Sequence, residues 1–520
     1  MRDMSMTLDL TLTSLLSNCD RLQGVNMFSQ KFIRHALLLS SRGKSGIRCR
    51  FRSTQAIAEK VTDGFVEDLR SIVGKANVST AEAVRDQHGH DESYHETTLP
   101  DAVVFAQSVE HVSKVAKLCN DNVVPLIPFG SGTGLEGGIN ALKGGVCLDI
   151  SQMKNVIEVN AEDFDCTVES GVTRGELNSY IRDTGLNFPV DPGADASVCG
   201  MCATSASGTN AVRYGTMREN VLNMEVVLAD GTVLWTAGKN KRSRKTSAGY
   251  NLTNLFVGSE GTLGIITKAT IRLYGIPEAT LSAVVHFPSI QEAVDTTVQV
   301  MQCGVPIARI EFLDEAAIDA FNKYSKFDMK VAPSLFLEFH GSPSSVEEQK
   351  EVVEEIAKMN NGSNFKWATN ADERNRLWKA RHEIVYACTA LVPGSKPYST
   401  DVCVPISNLP AVIVQTKEML KKENLVGPIV GHVGDGNFHI FFPVDHDHPE
   451  ALTKIKAMSE KMSLLAMEMH GTCTGEHGIG MGKRELLEKE VGIEGLRAMQ
   501  IVKNAFDPNQ ILNPGKIFPV

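Results

Sequence analysis

The chain has 520 residues, enough for two or more domains with substantial cores. Hydrophobic residues make up 42% of it and charged residues 22%, which is ordinary for a soluble globular protein. Since no run of eighteen apolar residues occurs, we predict no membrane-spanning helix. The eleven cysteines are scattered, which argues for reduced thiols and against a secreted disulfide scaffold.

The first 52 residues differ in charge from the rest of the chain. They contain nine Lys and Arg but three Asp and Glu, and no acidic residue lies between Arg21 and Ala58. Such a segment is typical of a mitochondrial transit peptide, and a nucleic-acid-binding arm is the alternative. The remainder carries 43 basic and 59 acidic residues, a net charge of −16. We therefore expect no nucleic-acid partner, and a location in the mitochondrial matrix or at the inner membrane.

Hydrophobic periodicity divides the remaining chain into two α+β regions. The region from about 54 to 98 favours helix and ends in a polar stretch, Asp86 to Thr98, and a helix over Val109–Asn120 has one apolar face. Short strands separated by glycines follow to about residue 275. From 276 to about 470, strands alternate with long amphipathic helices, so we predict a domain boundary near Gly275.

Three segments in the first region are dense in glycine and other small residues: 128–138, 191–215 and 257–267. The first contains a formal GxGxxG motif, but its later glycines would each weaken a helix by about 1 kcal/mol. A Rossmann site needs a helix there, so we expect a loop whose backbone N–H groups bind a pyrophosphate. Each segment alone could be a tight turn, whereas three in order are more specific for a cofactor.

A nine-residue stretch that begins at position 431 favours a β-hairpin with a histidine on each strand. The Asp-Gly pair at 435–436 is a preferred centre for a two-residue type I′ turn, which would place His432 opposite His439, with Cβ atoms about 5 Å apart. Glu476 and His477 follow in a glycine-flanked segment. Two histidines and a carboxylate suit a catalytic divalent metal, either zinc or manganese. Singly, the histidines could be ordinary polar hairpin residues.

These segments together resemble a known family. The glycine-rich segments look like the flavin-binding signature of the PCMH-type fold, also called the vanillyl-alcohol-oxidase type. The histidine segments, followed by Asn-Pro-Gly-Lys at 513–516, are similar to the C-terminal half of the FAD-linked D-2-hydroxyacid dehydrogenases. The resemblance covers roughly residues 90–520. It implies an α+β fold with a two-subdomain FAD-binding domain (54–275), an α+β cap domain (276–470) and a C-terminal segment (471–520) that returns to the FAD domain and the active site.

The resemblance also implies which residues bind the cofactor. FAD should be held noncovalently, because the first glycine-rich loop contains no His or Cys. The candidate FAD-binding residues are Pro128, Gly130, Ser131, Gly132, Thr133, Gly134, Gly137, Gly138, Asp191, Pro192, Gly193, Gly200, Ala203, Thr204, Ser207, Gly208, Glu260, Gly261, Gly264, Ile265, Ile266 and Asn513.

The same resemblance implies a mechanism in which hydride passes from the substrate Cα to flavin N5. One divalent metal would be held by His432, His439 and Glu476 and would bind the substrate. His477 is the candidate general base, since the pKa of an imidazole lies near neutral pH. Arg381 is the candidate partner of the substrate carboxylate, because a guanidinium can bind a carboxylate through two parallel hydrogen bonds.

Two positions bear on the choice of substrate. Where the D-2-hydroxyglutarate branch has a lysine for a distal carboxylate, this chain has Ser399, and Lys396 is out of register. Phe441, two residues beyond His439, replaces a polar residue of that branch and favours a short alkyl substituent. We therefore expect oxidation of D-lactate and related small D-2-hydroxyacids, with D-2-hydroxyglutarate and glycolate as alternatives.

Electrons must leave the reduced flavin, and no NAD site is evident. The acidic chain favours a basic carrier such as cytochrome c, with electron-transferring flavoprotein or a quinone as alternatives. Three other functions compete with a dehydrogenase. They are a flavin-dependent ether-lipid synthase on the same fold, a metal hydrolase with nucleotide-binding loops, and a non-catalytic binding module.

Overall fold

The computed structural model describes residues 61–363, 365–445 and 449–518, and the expected transit peptide (1–52) lies outside the described residues. Among the residues described, no helix is both long and apolar enough to cross a membrane. The described cysteines are all free thiols, as expected from their spacing.

The first sheet has four strands in the order β1-β2-β4-β3, of which β2, β4 and β3 are parallel. Its elements are α1 Asp63–Val73, β1 Val78–Ser79, α2 Glu82–Gln87, β2 Ala102–Phe105, α3 Val109–Asp121, β3 Leu126–Phe129 and β4 Val146–Asp149. Helix α3 begins after Ser108, whose hydroxyl accepts from the His111 N–H, and the helix packs its predicted apolar face into the core of this sheet.

In the described part of the predicted helical region, α1 and α2 are present and the polar stretch that ends it is irregular after Gln87. Asp91 gives the physical reason: its Oδ2 accepts hydrogen bonds from the N–H groups of Gly137 (2.7 Å) and Gly138 (3.2 Å). The polar segment therefore wraps the first glycine-rich loop and cannot continue as a helix.

The second sheet is antiparallel, with five strands in the order β5-β6-β10-β8-β9, and strands β7 and β11 pair separately. In chain order, the strands of this sheet and of the separate pair are β5 Val156–Asn160, β6 Asp165–Glu169, β7 Leu186–Asn187, β8 Val221–Val227, β9 Val233–Trp235, β10 Ile265–Arg272 and β11 Tyr274–Gly275. The helices of this region are α4 Arg174–Ile181, α5 Val198–Thr204, α6 Ala211–Tyr214, α7 Met217–Asn220 and α8 Leu252–Phe256. Helices α4 and α5 pack on the sheet through a shared hydrophobic core.

The third sheet has eight antiparallel strands, in the order β15-β12-β14-β13-β18-β19-β16 with β17 also paired to β19. They are β12 Ala279–His286, β13 Arg309–Leu313, β14 Ser334–Gly341, β15 Lys366–Trp367, β16 Lys396–Ser399, β17 Val402–Cys403, β18 Ile429–Gly431 and β19 Asn437–Val444. The helices are α9 Ile290–Gln302, α10 Glu315–Ser325, α11 Pro343–Met359, α12 Ala371–His382, α13 Ile384–Thr389, α14 Leu409–Glu423, α15 Pro449–Glu468 and α16 Arg484–Phe506.

Helices cover both faces of this third sheet. Side chains alternate between the faces, so that Phe312 packs with α9, α11, α14 and α15, whereas Leu313 packs with α10, α12 and α13. Glu311, His439 and Phe441 share the register of Leu313 and Val430, which places them on the α12–α13 face.

Strands β18 and β19 form the predicted hairpin, but its predicted turn is wrong. Val430 pairs with His439, so His432 lies in the connecting turn and not directly opposite. Of the two central residues, only Gly436 has positive φ (89°). The reason is tertiary: a Cβ at Gly436 would lie 2.1 Å from the Val404 carbonyl oxygen, so the longer turn is packed tightly against a neighbouring segment.

The chain end returns to the first sheet beside β3. The Leu126 N–H donates to the Ile511 carbonyl (2.8 Å), and the Asn513 N–H donates to the Leu126 carbonyl (2.9 Å). These two bonds form a parallel bridge between Leu126 and Leu512.

Candidate active site

One cavity of about 290 Å³ is lined by all three glycine-rich segments and by residues of the third sheet. Of the candidate FAD-binding residues, all line it except Gly137, Ser207 and Gly208. The candidate metal ligands, His477 and Arg381 line the same cavity. The fold thus brings together residues that lie more than 300 positions apart in the chain.

The three residues that do not line the cavity are closely packed or buried among other segments. A Cβ at Gly137 would lie 2.6 Å from the Met481 side chain, and one at Gly208 would lie 2.5 Å from the Asp191 backbone. Ser207 is buried. The glycines at 137 and 208 therefore allow close approach of neighbouring segments.

The first glycine-rich loop has no helix between Gly130 and Gly138, as expected. A Cβ at Gly138 would meet no atom within 4 Å and would project into open space beside the loop. Ser197, which lines the facing wall, has a buried hydroxyl with no hydrogen-bond partner among the described residues. Bared backbone and an unsatisfied hydroxyl suit the phosphates of a dinucleotide such as FAD.

Two acidic residues of the glycine-rich segments use their carboxylates in hydrogen bonds to other groups of the protein. The Asp191 carboxylate accepts hydrogen bonds from Arg309 and from the His382 ring, each at 3.1 Å. Burial alone would raise the pKa of Asp191, but these partners hold it well below its usual range. Glu260 accepts the N–H groups of Ile479 and Gly480, each at 2.7 Å, and so anchors the segment that follows His477.

Asn513 has a similar role at the other end of that segment. Its Nδ2 donates to the carbonyls of Gly138 (2.9 Å) and Glu260 (2.8 Å). The first and third glycine-rich segments are therefore joined by one amide from the chain end.

His432, His439 and Glu476 form a compact cluster of donor atoms. The Nε2 atoms of His432 and His439 each lie 3.2 Å from Glu476 Oε1. Two ligands about 2.1 Å from one ion at angles of 90–109° are separated by about 3.0–3.4 Å. These two nitrogen–oxygen spacings therefore fit a common divalent ion, and all three donor atoms lie within 4.8 Å of one another. The N, N, O donor set suits zinc or manganese.

The far nitrogen of each imidazole is held by an acceptor. His432 Nδ1 lies 2.8 Å from Glu311 Oε1, and His439 Nδ1 lies 3.1 Å from the Thr400 carbonyl oxygen. With the proton on Nδ1, each ring presents the Nε2 lone pair to the cluster, as in metal sites generally.

The charges around the cluster favour a cation. Burial alone would lower the pKa of His432, but Glu311 and Glu476 raise it well above 6.5. For the Glu476 carboxyl, burial alone would raise the pKa, but His432 and His439 hold it well below its usual range. The two carboxylates thus stabilise positive charge at His432, whether a proton or a divalent ion supplies it.

Asp401 anchors the loop that carries Glu476 and His477. Its Oδ2 accepts the N–H groups of both residues, each at 2.9 Å, and the hydroxyl of Thr474 at 2.7 Å. Its Oδ1 accepts from the Asn437 side chain at 2.7 Å. One carboxylate, itself 1% exposed, therefore fixes the backbone of this loop.

His477 stacks on His439, with ring centroids 4.8 Å apart, and its Nε2 lies 3.9 Å from Glu476 Oε1. Burial lowers the pKa of His477 to about 4, although Asp401 nearby opposes this. The ring is therefore neutral at neutral pH. Its Nδ1 is buried with no partner among the described residues, so the hydrogen-bonding capacity of this nitrogen is unused there.

Arg381 lies in the last turn of α12 and is 5% exposed. Its guanidinium forms an ion pair with Glu311, whereas its Nε is buried and has no hydrogen-bond partner among the described residues. A buried unsatisfied N–H costs about 1–3 kcal/mol, which a ligand oxygen would relieve. Among the lining residues described, Arg381 is the only Lys or Arg.

Apolar side chains also line the cavity: Phe441, whose ring lies 5.8 Å from that of His439, and Pro397 and Val385. Ser399 lies opposite Phe441 in the β16–β19 pair, is buried and does not line the cavity. Lys396 pairs with Val444 further from the cluster.

The sequence interpretation did not identify Glu311 as part of the site. The feature of the sequence that points to Glu311 is a single acidic residue within the otherwise apolar stretch Ile310-Glu311-Phe312-Leu313. A buried charge in such a strand requires a partner, but only the tertiary structure identifies that partner as His432 and Arg381.

The fold is that of the PCMH-type FAD-binding proteins. Crystallised p-cresol methylhydroxylase matches with a TM-score of 0.74 and 20% identity, over 88% of this chain and 98% of that one. Alkyldihydroxyacetonephosphate synthase matches with a TM-score of 0.68 and 18% identity, over 88% and 86% of the two chains.

Sequence comparisons identify the family. Residues 100–237 match an FAD binding domain, and residues 276–517 match the C-terminal domain of FAD linked oxidases. The chain is 60% identical to the probable mitochondrial D-lactate dehydrogenase of Danio rerio, over 90% of this chain and 93% of the relative. It is 44% identical to the mitochondrial D-lactate dehydrogenase (cytochrome) of Arabidopsis thaliana, over 90% and 83%. The chain therefore belongs to the FAD-linked oxidase family and is a flavin-dependent oxidoreductase.

Proposed function

We propose that this protein oxidises D-lactate and related small D-2-hydroxyacids to the 2-oxoacids. The observation that carries the proposal is the convergence on one cavity of the glycine-rich segments, the His432–His439–Glu476 cluster, His477 and Arg381. The relatives named D-lactate dehydrogenase, at 60% and 44% identity, support the same activity.

The proposed chemistry divides between the bound groups and the chain. When bound, FAD accepts a hydride from the substrate Cα, and a divalent metal lowers the pKa of a hydroxyl that it binds. Arg381 binds the substrate carboxylate, and the metal ligands fix the position of the hydroxyl. His477 takes the hydroxyl proton, so that loss of a hydride and a proton leaves the 2-oxoacid.

FAD is proposed to be bound noncovalently. Cys199 is the one cysteine among the described lining residues, and burial raises the pKa of its thiol well above 9.0. A thiol that stays protonated is a poor nucleophile for attachment to a flavin.

Two features support a small monocarboxylate as the substrate. Arg381 is the only Lys or Arg in the described cavity wall, which leaves no second basic side chain of these types for a distal carboxylate. Phe441, Pro397 and Val385 form an apolar wall that suits a short alkyl group. Glycolate is the second candidate, because the glycolate oxidase subunit of Bacillus subtilis is 31% identical over 97% of its length.

The remaining assignments are proposals of the same kind. The chain is mitochondrial, as are the relatives by name, with residues 1–52 as its transit peptide. Residues 54–275 form the FAD domain, 276–470 the cap and 471–520 the returning segment, in line with the two family matches. Electrons pass to a cytochrome, which is named in the Arabidopsis thaliana relative, or to electron-transferring flavoprotein.

The test is an anaerobic titration of the purified flavoprotein (residues 53–520) with D-lactate, L-lactate, glycolate and D-2-hydroxyglutarate. We expect D-lactate alone to bleach the flavin absorption at stoichiometric amounts. Bleaching only by glycolate or D-2-hydroxyglutarate would retain the chemistry and change the substrate. A colourless protein that does not take up FAD would overturn the proposal.

A further inference from the structure

We propose that Glu311 is a positioning residue that holds the metal ligand His432 and the substrate-binding Arg381 in one geometry. The inference rests on the proposed function, because it assigns a supporting group to that site. It goes further in naming one carboxylate through which the metal and the substrate carboxylate affect each other.

The position of Glu311 makes its contacts specific. It lies in the middle of β13, on the sheet face covered by α12 and α13, and is 1% exposed. Its Oε1 and Oε2 lie 2.8 and 2.9 Å from His432 Nδ1, and Oε2 also binds the Arg381 guanidinium. Both oxygens are thus used, and both partners line the cavity.

The contact to His432 fixes which nitrogen can bind a metal. A carboxylate at Nδ1 favours a proton there and leaves Nε2 as the free lone pair, which faces Glu476 at 3.2 Å. Without that acceptor the ring can rotate or change tautomer, and the Nε2 donor is lost for part of the time.

The contact to Arg381 balances a buried charge. A guanidinium that is 5% exposed is costly unless a carboxylate compensates it. Glu311 binds one nitrogen of Arg381, and in the described part of the chain the buried Nε has no partner, so the guanidinium is anchored while a donor remains for substrate.

Since one carboxylate holds both groups, a shift at either is transmitted to the other. Metal binding at His432 and carboxylate binding at Arg381 should therefore be thermodynamically coupled, each increasing the affinity for the other.

The test uses Glu311→Gln in the purified flavoprotein, with Mn²⁺ as the probe after chelation and desalting. Free Mn²⁺, followed by its electron paramagnetic resonance signal, gives the Kd with and without a saturating 2-oxoacid product. We expect a 10–100-fold weaker Mn²⁺ Kd in the variant, a smaller tightening by product than in the unsubstituted protein, and an increased KM for D-lactate at saturating Mn²⁺.

A matched control is available on the neighbouring strand. Glu338 in β14 is also buried (4% exposed) and contacts an arginine and a histidine, Arg309 at 3.3 Å and His340 at 2.8 Å. Glu338→Gln likewise removes the charge of a buried carboxylate that contacts an arginine and a histidine, but outside the cluster. This variant should have lower stability and an unchanged Mn²⁺ Kd.

The outcomes separate the two proposals. Tight Mn²⁺ binding by both the unsubstituted protein and Glu311→Gln would overturn the role of Glu311 and leave the metal site intact. Absence of Mn²⁺ and Zn²⁺ binding by the unsubstituted protein would instead overturn the proposed metal site, and this inference with it. If Glu311→Gln does not fold, Glu311→Asp keeps the charge but withdraws it from His432, and we expect an intermediate loss of affinity.

Discussion

Three imidazoles of the site differ in which ring nitrogen is left free, because the groups around each ring differ. His432 is flanked by two carboxylates, His439 lies between a backbone carbonyl and Glu476, and His477 has one buried nitrogen with no partner among the described residues. In the proposed function, the first two therefore hold a metal and the third acts on the substrate. The same residue type has two roles here because the acceptors around each ring decide where its free lone pair lies.

At this scale we expect His477→Ala to lower kcat for D-lactate by about 10²–10⁴-fold, because the substrate hydroxyl then has no positioned base. Flavin content and Mn²⁺ affinity should stay within twofold of the unsubstituted protein, since His477 is not among the proposed ligands. Stopped-flow bleaching of the flavin measures the step directly. A loss of activity below tenfold would show that another group takes the proton.

At the scale of elements, loops carry the site and rigid contacts fix the loops. Asp401 holds the Glu476–His477 backbone, Glu260 holds the chain just after it, and Asn513 joins two glycine-rich segments. A loop without regular hydrogen bonds is ordered here by carboxylate and amide side chains that satisfy its N–H and C=O groups.

The first glycine-rich loop gives a prediction at this scale. Gly138→Val should reduce FAD affinity at least tenfold, because the new side chain would enter open space beside the loop, with no backbone strain at that position. The flavin-to-protein absorbance ratio after desalting measures the effect. Gly275→Val, in open space in strand β11, is the control and should retain full flavin. Full retention by Gly138→Val would show that this wall does not contact the cofactor.

At the scale of the whole molecule, stability depends on groups far from the cavity. His286 lies in β12, is 4% exposed, and has a buried Nε2 without a partner among the described residues. Burial, together with Lys366 and Lys330, lowers its pKa to about 4. The folded protein therefore keeps this ring neutral where the unfolded chain would protonate it.

Between pH 6.5 and about 4 the unfolded state binds more protons at His286, so the free energy of unfolding falls as pH falls. We expect His286→Gln to lose less stability than the unsubstituted protein between pH 7.5 and 4.5, by roughly 2–3 kcal/mol. Urea unfolding of both proteins at the two pH values measures the difference. Carboxylates with lowered pKa contribute equally to the pH dependence of both proteins, so their contribution cancels in the difference. Parallel losses would contradict the assignment to His286.

Much of the molecule could be predicted from the sequence alone. The periodicity of 109–120 fixed a helix because its apolar positions recur every three or four residues, and helix α3 matches within one residue. The glycine-rich loop could be separated from a Rossmann site because glycines disfavour the helix that such a site needs. Residue types at short spacing also indicated the flavin family and the candidate ligands, since these signals are local.

Other features were decided only by tertiary contacts. The turn after β18 is longer than predicted because Gly436 packs against the Val404 carbonyl, which lies more than thirty residues away. Asp191 and Glu260 line the cavity, yet their charges are taken by partners that no local pattern specifies. Glu311 is the clearest case, because strand β13 brings it between His432 and Arg381. Hydrogen bonds between distant segments depend on how the sheets and helices pack, and that packing is a property of the whole chain.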